Sequence, residues 1–458
     1  MTYLLPTTAR LLLARTARAQ REGRLPSLLV GIVRDGGLAW SAGRGAVTEP
    51  HTDVQYRLGS ITKTITAVAV MRLRDEGRLN LDDPLELHVA GTPFGERTVG
   101  QLLAHNAGLR SESPGDWWER VPGAPWPEFA ATLTAQDVPH GAGRRFHYSN
   151  LGYGVLGELV AVLRGRSWAE VVRDEVLAPL GMTRTTPRPD GRPGTAGWAT
   201  GWAVHPWADT LLAEPEHDGG AMAPAGQLWA TLTDLARFAA FLLGDTGDVL
   251  AAATLDEMAE PAGVDPSATT WSAYGLGLGV SRVDGRTLIG HGGSMPGFLA
   301  SVMVDRGEQF GTVSLANATS GLDPTLVGDL HQIVRAHEPF VGPAWTPLET
   351  VDADLLELVG PWHWGTYAYG LRWASDGLLH LLPLLGAGRG TRLRPVGDGN
   401  FLGLDGYHAG EVLRVVREVG GSVVALDVGS FIYSRTPYDP AAPHPGGVDP
   451  AGWRGGPS

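Results

Sequence analysis

At 458 residues the chain is too long for one ordinary hydrophobic core, and 43% hydrophobic with 19% charged residues fits a water-soluble globular protein of two or more domains. A formal net charge of −13 and the lack of a basic stripe argue against nucleic acid or an anionic membrane as a partner. No cysteine is present, which excludes disulfides, thiolate metal sites and a cysteine nucleophile.

The opening stretch MTYLLPTTARLLLARTARAQREGRLPS reads as an amphipathic helix ended by Pro26. Arginines interrupt its apolar positions and no small-residue cleavage site follows, so it is not read as a secretory signal. No segment is long and apolar enough to span a bilayer, and the expected compartment is the cytoplasm. SLLVGIVRDGGLAWSAGRG then predicts two strands joined by a turn at Asp35–Gly37. Helical patterns follow at 60–76, 98–104, 151–164, 167–178 and 231–243, separated by Gly/Pro-rich loops. Two further hairpins are expected, one around Asp284–Gly285 and one turning near Arg306 to Gln309. Early and late strands around a helical middle predict one antiparallel sheet holding both ends of this region, with a helical insertion. After a break at 337–350, short apolar runs between turn signals at 354–436 predict a small barrel of antiparallel strands. The expected division is a first domain at 1–338, a linker at 339–353, the barrel at 354–436 and a Pro/Gly-rich disordered tail at 437–458.

Lys63 is the only lysine in the chain; every other Lys/Arg position holds arginine. A guanidinium cannot give up its proton in a protein, whereas a lysine amine can when desolvated. Ser60 precedes Lys63 by three residues, which puts both on one face of the helix predicted at 60–76. Ile61, Ile65, Val68 and Val70 would bury its start and lower the lysine pKa. FHYSN, 146–150, places Tyr148 and Asn150 on a loop entering a helix. A phenol there can relay a proton and a side-chain amide can hold a substrate; read alone, the segment is a half-buried tyrosine with Asn150 as N-cap. GHGGSMPGF, 290–298, lies between strand patterns, and Gly292 and Gly293 leave room for a substrate along the strand. The Ser294 and Ser60 N–H groups could meet a developing oxyanion, with His291 supplying charge or a hydrogen bond.

In this order, S-x-x-K, Y-x-N and H-x-G resemble the penicillin-recognising serine hydrolases: class C-type β-lactamases, serine DD-peptidases, D-aminopeptidases and related esterases. YRLGSITKTITAVAVMRLRDEGRLNLDDPL, TVGQLLAHNAGL at 98–109, VLAPLGMTRT at 176–185 and APAGQLWATLTDLARFAAFLL at 223–243 extend the resemblance over about residues 10–335. It implies an α+β fold, an antiparallel sheet flanked by helices plus an all-helical region, and the barrel at 354–436 resembles the lipocalin-like barrels appended to several of these hydrolases. It also implies roles: Ser60 as nucleophile, Lys63 as its base, Tyr148 as second proton-transfer group and Asn150 as the residue positioning substrate or lysine. His291, Gly292 and Gly293 would line the site, and the N–H groups of Ser60 and Ser294 would form the oxyanion hole.

Where β-lactamases usually have the lysine of K-T-G, this chain has His291, mostly neutral at an unperturbed pKa of about 6.5. That weakens a permanent carboxylate clamp and disfavours efficient β-lactamase action, leaving a weak β-lactamase among the alternatives. Tryptophans at 117, 118, 126, 198, 202 and 207 suggest an apolar acyl pocket, which puts an esterase first and a D-amino-acid-directed peptidase second. A catalytically silent ligand-binding relative and an acyltransferase are the other readings. No metal or organic cofactor is expected, and the partner is a small ester or peptide substrate.

Overall fold

The computed structural model describes residues 4–191, 196–266, 272–342 and 344–437. The chain divides between two compact units, Met1–Phe340 and Val341–Ser458. The tail expected to be disordered lies, apart from Pro437, outside the described residues.

Helix α1 (Pro6–Glu22) opens the first unit, with proline in its first turn where no N–H is needed, and it ends short of Pro26. Strands β1 (Ser27–Arg34) and β2 (Gly37–Gly45) follow, joined through Asp35 and Gly36 at φ +52° and +78°. Two positive φ values in a two-residue turn match the right-handed twist of the strands, which is why Asp-Gly stands there. The helical middle includes α2 (Ile61–Asp75), α3 (Val99–Leu103), α4 (Asn150–Arg164) and α5 (Leu232–Leu243). The 167–178 pattern is a short helix, Trp168–Val172, that widens into a π turn at Arg173–Leu177. Next come β3 (Gly263–Val264), β4 (Ser272–Tyr274), β5 (Gly279–Val283), β6 (Arg286–Met295), β7 (Phe298–Asp305), β8 (Phe310–Ala316) and α6 (Leu326–His337).

The eight strands form one sheet in the order β2-β1-β8-β7-β6-β5-β4-β3. As expected, early and late strands meet: Leu28 pairs with Ala316 and Val33 with Gly311, antiparallel. Alternate residues of β1 serve two cores. Leu29 and Val33 join the cluster containing α2 and α5, whereas Leu28, Val30 and Ile32 join the one containing Leu12 of α1 and Leu330 of α6. The sheet is thus covered on both faces, and each fully buried leucine or valine contributes about 1.5–3 kcal/mol over an exposed one.

One irregularity positions the site. β6 pairs with β5 only through residues 286–290, whereas its pairing with β7 runs through 289–295. Residues 291–295 therefore have a strand neighbour on one side only, and the chain entering α2 lies along that open edge.

The second unit is a closed antiparallel barrel of eight strands between Gly360 and Ser434, entered through a short helix, Ala353–Leu358, capped by Asp352. Its core holds Trp362, Tyr369, Leu371, Leu426 and Tyr433. The aromatic run at 361–373 therefore divides between barrel core and rim, where Tyr367 is exposed.

Candidate active site

Two backbones touch where α2 begins. Gly59 has φ +55°, a left-handed conformation that glycine adopts without strain. A Cβ on Gly59 would sit 2.5 Å from the Ser294 amide nitrogen, and one on Gly293 would sit 1.8 Å from the Leu58 carbonyl oxygen. The same Cβ on Gly293 would be 3.3 Å from the Ser60 nitrogen, so the amides of Ser60 and Ser294 border one space. No side chain fits between them.

Ser60 stands at the N-cap position of α2, yet its hydroxyl makes no capping bond. Instead, Oγ lies 2.9 Å from Lys63 Nζ, one turn along the same face. Nζ also donates to the Ala225 carbonyl at 2.7 Å. Lys63 is 0% exposed. Desolvation lowers its pKa to about 7, with Glu112 and Glu119 pulling the other way. Near neutrality, much of this amine is unprotonated and able to accept the serine's proton.

Tyr148 and Asn150 flank the residue that caps α4. That residue is Ser149, whose Oγ accepts the Gly152 N–H at 3.0 Å, so the N-cap expected at Asn150 is one position earlier. Asn150 is released from capping and donates through Nδ2 to both carboxylate oxygens of Glu112, at 2.9 Å each. It makes no bond to Lys63, whose hydrogen-bond partners are Ser60 and Ala225. Burial pushes the Tyr148 phenol well up, against the nearby Ser60 hydroxyl, so Tyr148 keeps its proton at working pH. The Lys63 nitrogen lies 5.0 Å from the centre of its ring.

His291 is neutral. Burial lowers its pKa to about 4, partly offset by its bond to the Gly292 carbonyl. Nδ1 bonds that carbonyl and Nε2 lies 3.0 Å from the Tyr274 hydroxyl. A neutral imidazole with Nδ1–H on a carbonyl accepts at Nε2, so both nitrogens are occupied. The ring holds the edge strand in place and presents no cation.

A cleft of about 720 Å³ includes Ser60, Tyr148, Gly293 and Ser294 in its lining and extends to Leu299 and Leu322. Among the described residues, no tryptophan lines it. Trp207 is 91% exposed, Trp126 borders a separate cavity beside α4, and Trp118 donates its N–H to Glu112 at 2.8 Å. The tryptophan wall expected here is not found in this cleft, whose apolar lining is aliphatic: Leu299, Ala300, Leu322, Pro324, Leu326 and Val327. The sequence singled out neither Glu112 nor Glu119. Both lie in SESPGDWWER, where no motif marks them, and their carboxylates act on each other and on Lys63. Burial raises the Glu119 pKa, opposed by the Trp117 N–H, which donates at 3.0 Å. Among the described residues no group of three or more His, Asp or Glu is arranged to hold a metal ion.

The profile of a domain of unknown function, DUF7586, matches residues 351–435. Among curated proteins, the chain is 23% identical over 333 residues to protein flp of Staphylococcus aureus strain MRSA252, a match covering 70% of this chain and 65% of flp. The chain thus spans less than two thirds of that relative. The octameric penicillin-binding protein homologue from Pyrococcus abyssi superposes with a TM-score of 0.62 at 22% identity, covering 92% of this chain and 98% of that one. That likeness shows the shared fold. A D-stereospecific amidohydrolase from Streptomyces sp. superposes with a TM-score of 0.60 at 25% identity, covering 73% of this chain and 99% of that one. The profile of the Beta-lactamase family matches residues 13–333, most of the chain, and the chain belongs to that family.

Proposed function

We propose that this protein is a serine hydrolase that forms an acyl-enzyme at Ser60 on small amides and peptides carrying a free amino group. The observation that carries the chemistry is a fully buried lysine 2.9 Å from a serine hydroxyl that caps nothing. Ser60 Oγ attacks the carbonyl carbon as its proton passes to neutral Lys63 Nζ. The carbonyl oxygen, now an oxyanion, takes hydrogen bonds from the Ser60 and Ser294 N–H groups. As the C–N bond breaks, Tyr148 hands a proton to the departing amine and is reprotonated from Lys63. Water then attacks the acyl ester by the same path in reverse and frees Ser60.

Electrostatics support the choice of substrate. Glu112, bound to Asn150, and Glu119 make the surroundings of Lys63 negative, and neutral His291 adds no cation to receive a carboxylate. An ammonium group is welcome in such a field and a carboxylate is not. These charges favour an amino-acid amidase or aminopeptidase over a β-lactamase or carboxypeptidase. The likeness to a D-stereospecific amidohydrolase favours the D series. Simple esters, which need less help at the leaving group, would turn over at the same serine, and the acyl side of the cleft is lined by aliphatic residues in place of the tryptophans that first favoured an esterase.

The test is intact-protein mass spectrometry with a fluorophosphonate, run beside turnover of D-alanine p-nitroanilide, its N-acetyl derivative and p-nitrophenyl butyrate. One adduct is expected, lost in Ser60→Ala and Lys63→Arg. The free amine should be preferred over the N-acetyl compound by about tenfold or more, and Glu112→Gln should shrink that preference. A wild type that gives neither adduct nor turnover would sink the hydrolase reading. Equal rates with the free and acetylated amine would return the esterase to first place.

A further inference from the structure

His105, in LLAHNAGL, has no part in the chemistry above, yet its surroundings are unusual. It follows α3 with φ +55°. Its N–H bonds the Leu102 carbonyl at 3.3 Å and the next N–H, of Asn106, bonds the Gln101 carbonyl at 2.8 Å. This is the helix-ending motif whose left-handed position ordinarily holds glycine or asparagine. Histidine carries the Cβ that glycine lacks, so this backbone costs energy and something must hold it in place.

Two of its hydrogen bonds and its nearest ring contact converge on the segment around Tyr148. The His105 carbonyl accepts the His147 N–H at 2.8 Å, and its Nδ1 accepts the Ser149 N–H at 3.0 Å. Two bonds from one residue therefore pin the peptide on both sides of Tyr148. The rings of His105 and Tyr148 lie 4.2 Å apart at 36°, closer than any other ring contact His105 makes. The imidazole is 1% exposed, and Nε2 has no hydrogen-bond partner. A buried, unpartnered ring N–H is costly and would be removed by almost any other residue at this position.

We propose that His105 is a positioning residue for Tyr148: it fixes the backbone around the tyrosine and packs its ring so that the phenol stays directed at Ser60. No bond is made or broken at His105. The inference rests on the reading of Tyr148 as the proton relay to the leaving group, and the experiment keeps the two apart.

Four variants of the full chain are compared with wild type on D-alanine p-nitroanilide and p-nitrophenyl butyrate: His105→Gly, His105→Asn, Tyr148→Phe, and His105→Gly with Tyr148→Phe. Glycine and asparagine both tolerate the left-handed backbone, and asparagine keeps an acceptor near the Nδ1 position. Fluorophosphonate labelling of Ser60 counts the correctly folded sites in each preparation. His105→Gly should lower kcat on the anilide about 10- to 100-fold per labelled site with KM within about twofold, and His105→Asn should recover most of that loss. The ester, with its easy leaving group, should be affected far less. In the Tyr148→Phe background, His105→Gly should cost less than about twofold. An equal loss in both backgrounds, a change confined to KM, or no loss at all would overturn the positioning role while leaving the relay intact. A Tyr148→Phe protein as fast as wild type would remove the relay reading, and this inference with it.

Discussion

Lys63 is a side chain whose burial is unfavourable for folding and which the proposed mechanism uses as its base. Its pKa falls from 10.5 free in solution to about 7 in the fold. Two consequences follow, with opposite readouts. The proposed mechanism needs the neutral amine, so kcat/KM on D-alanine p-nitroanilide should rise with pH through about 7 and then level off; His291, at about 4, cannot be the group that titrates there. For stability, the unfolded chain holds the lysine proton up to about 10.5 while the folded chain releases it above about 7. Between those values the unfolded state binds more protons, so stability from this group rises with pH. Lys63→Met, which buries no amine, should be inactive yet more stable than wild type by a few kcal/mol. Its advantage in thermal unfolding should be larger at pH 6 than at pH 9, and an advantage independent of pH would show that burial does not govern this lysine. The sequence revealed the pair because a single lysine beside a serine is visible in one line of text. Glu112 was hidden, because its partners Asn150 and Trp118 meet it only through the fold.

At the scale of the element, the site is a seam between β6 and the turn into α2. Gly293 is required there for closeness. Gly293→Ala would drive a methyl into the Leu58 carbonyl and push the Ser60 amide away from that of Ser294. We expect far-UV circular dichroism near that of wild type and a fall in kcat of about 100-fold or more, the size seen when oxyanion donors are lost. An active Gly293→Ala enzyme would mean that the seam is softer than the packing implies. Legibility followed length and turn chemistry. Asp-Gly turns announced both the β1–β2 and β5–β6 hairpins, and Asp284 and Gly285 do take positive φ. β3 and β4, of two and three residues, are too short to show any alternation. The Ser149 cap displaced the expected one because serine and asparagine serve equally well in that role, and tertiary contact with Glu112 decided between them.

The whole molecule is built from separate hydrophobic cores. Among the described residues, two clusters lie within the first unit and a third within the barrel, and none of the three contains residues of both units. Each unit should therefore fold alone: residues 1–340 and 341–458, expressed separately, should each give a cooperative thermal transition. A first unit that expresses only as aggregate would show that its cores are incomplete. The α+β class, the shared sheet and the barrel were all readable from the alternation of apolar runs and turns, because that pattern survives without knowledge of contacts.

The solitary lysine has one more consequence, for chemical labelling. The folded chain offers no exposed side-chain amine to an acylating reagent, since its one lysine is fully covered. A reagent that attacks amines can reach Lys63 only when the shell formed by Ser60, Tyr148 and Ala225 opens. Its rate of side-chain labelling is thus a clock for the opening of the candidate catalytic centre, ticking without background from any other lysine.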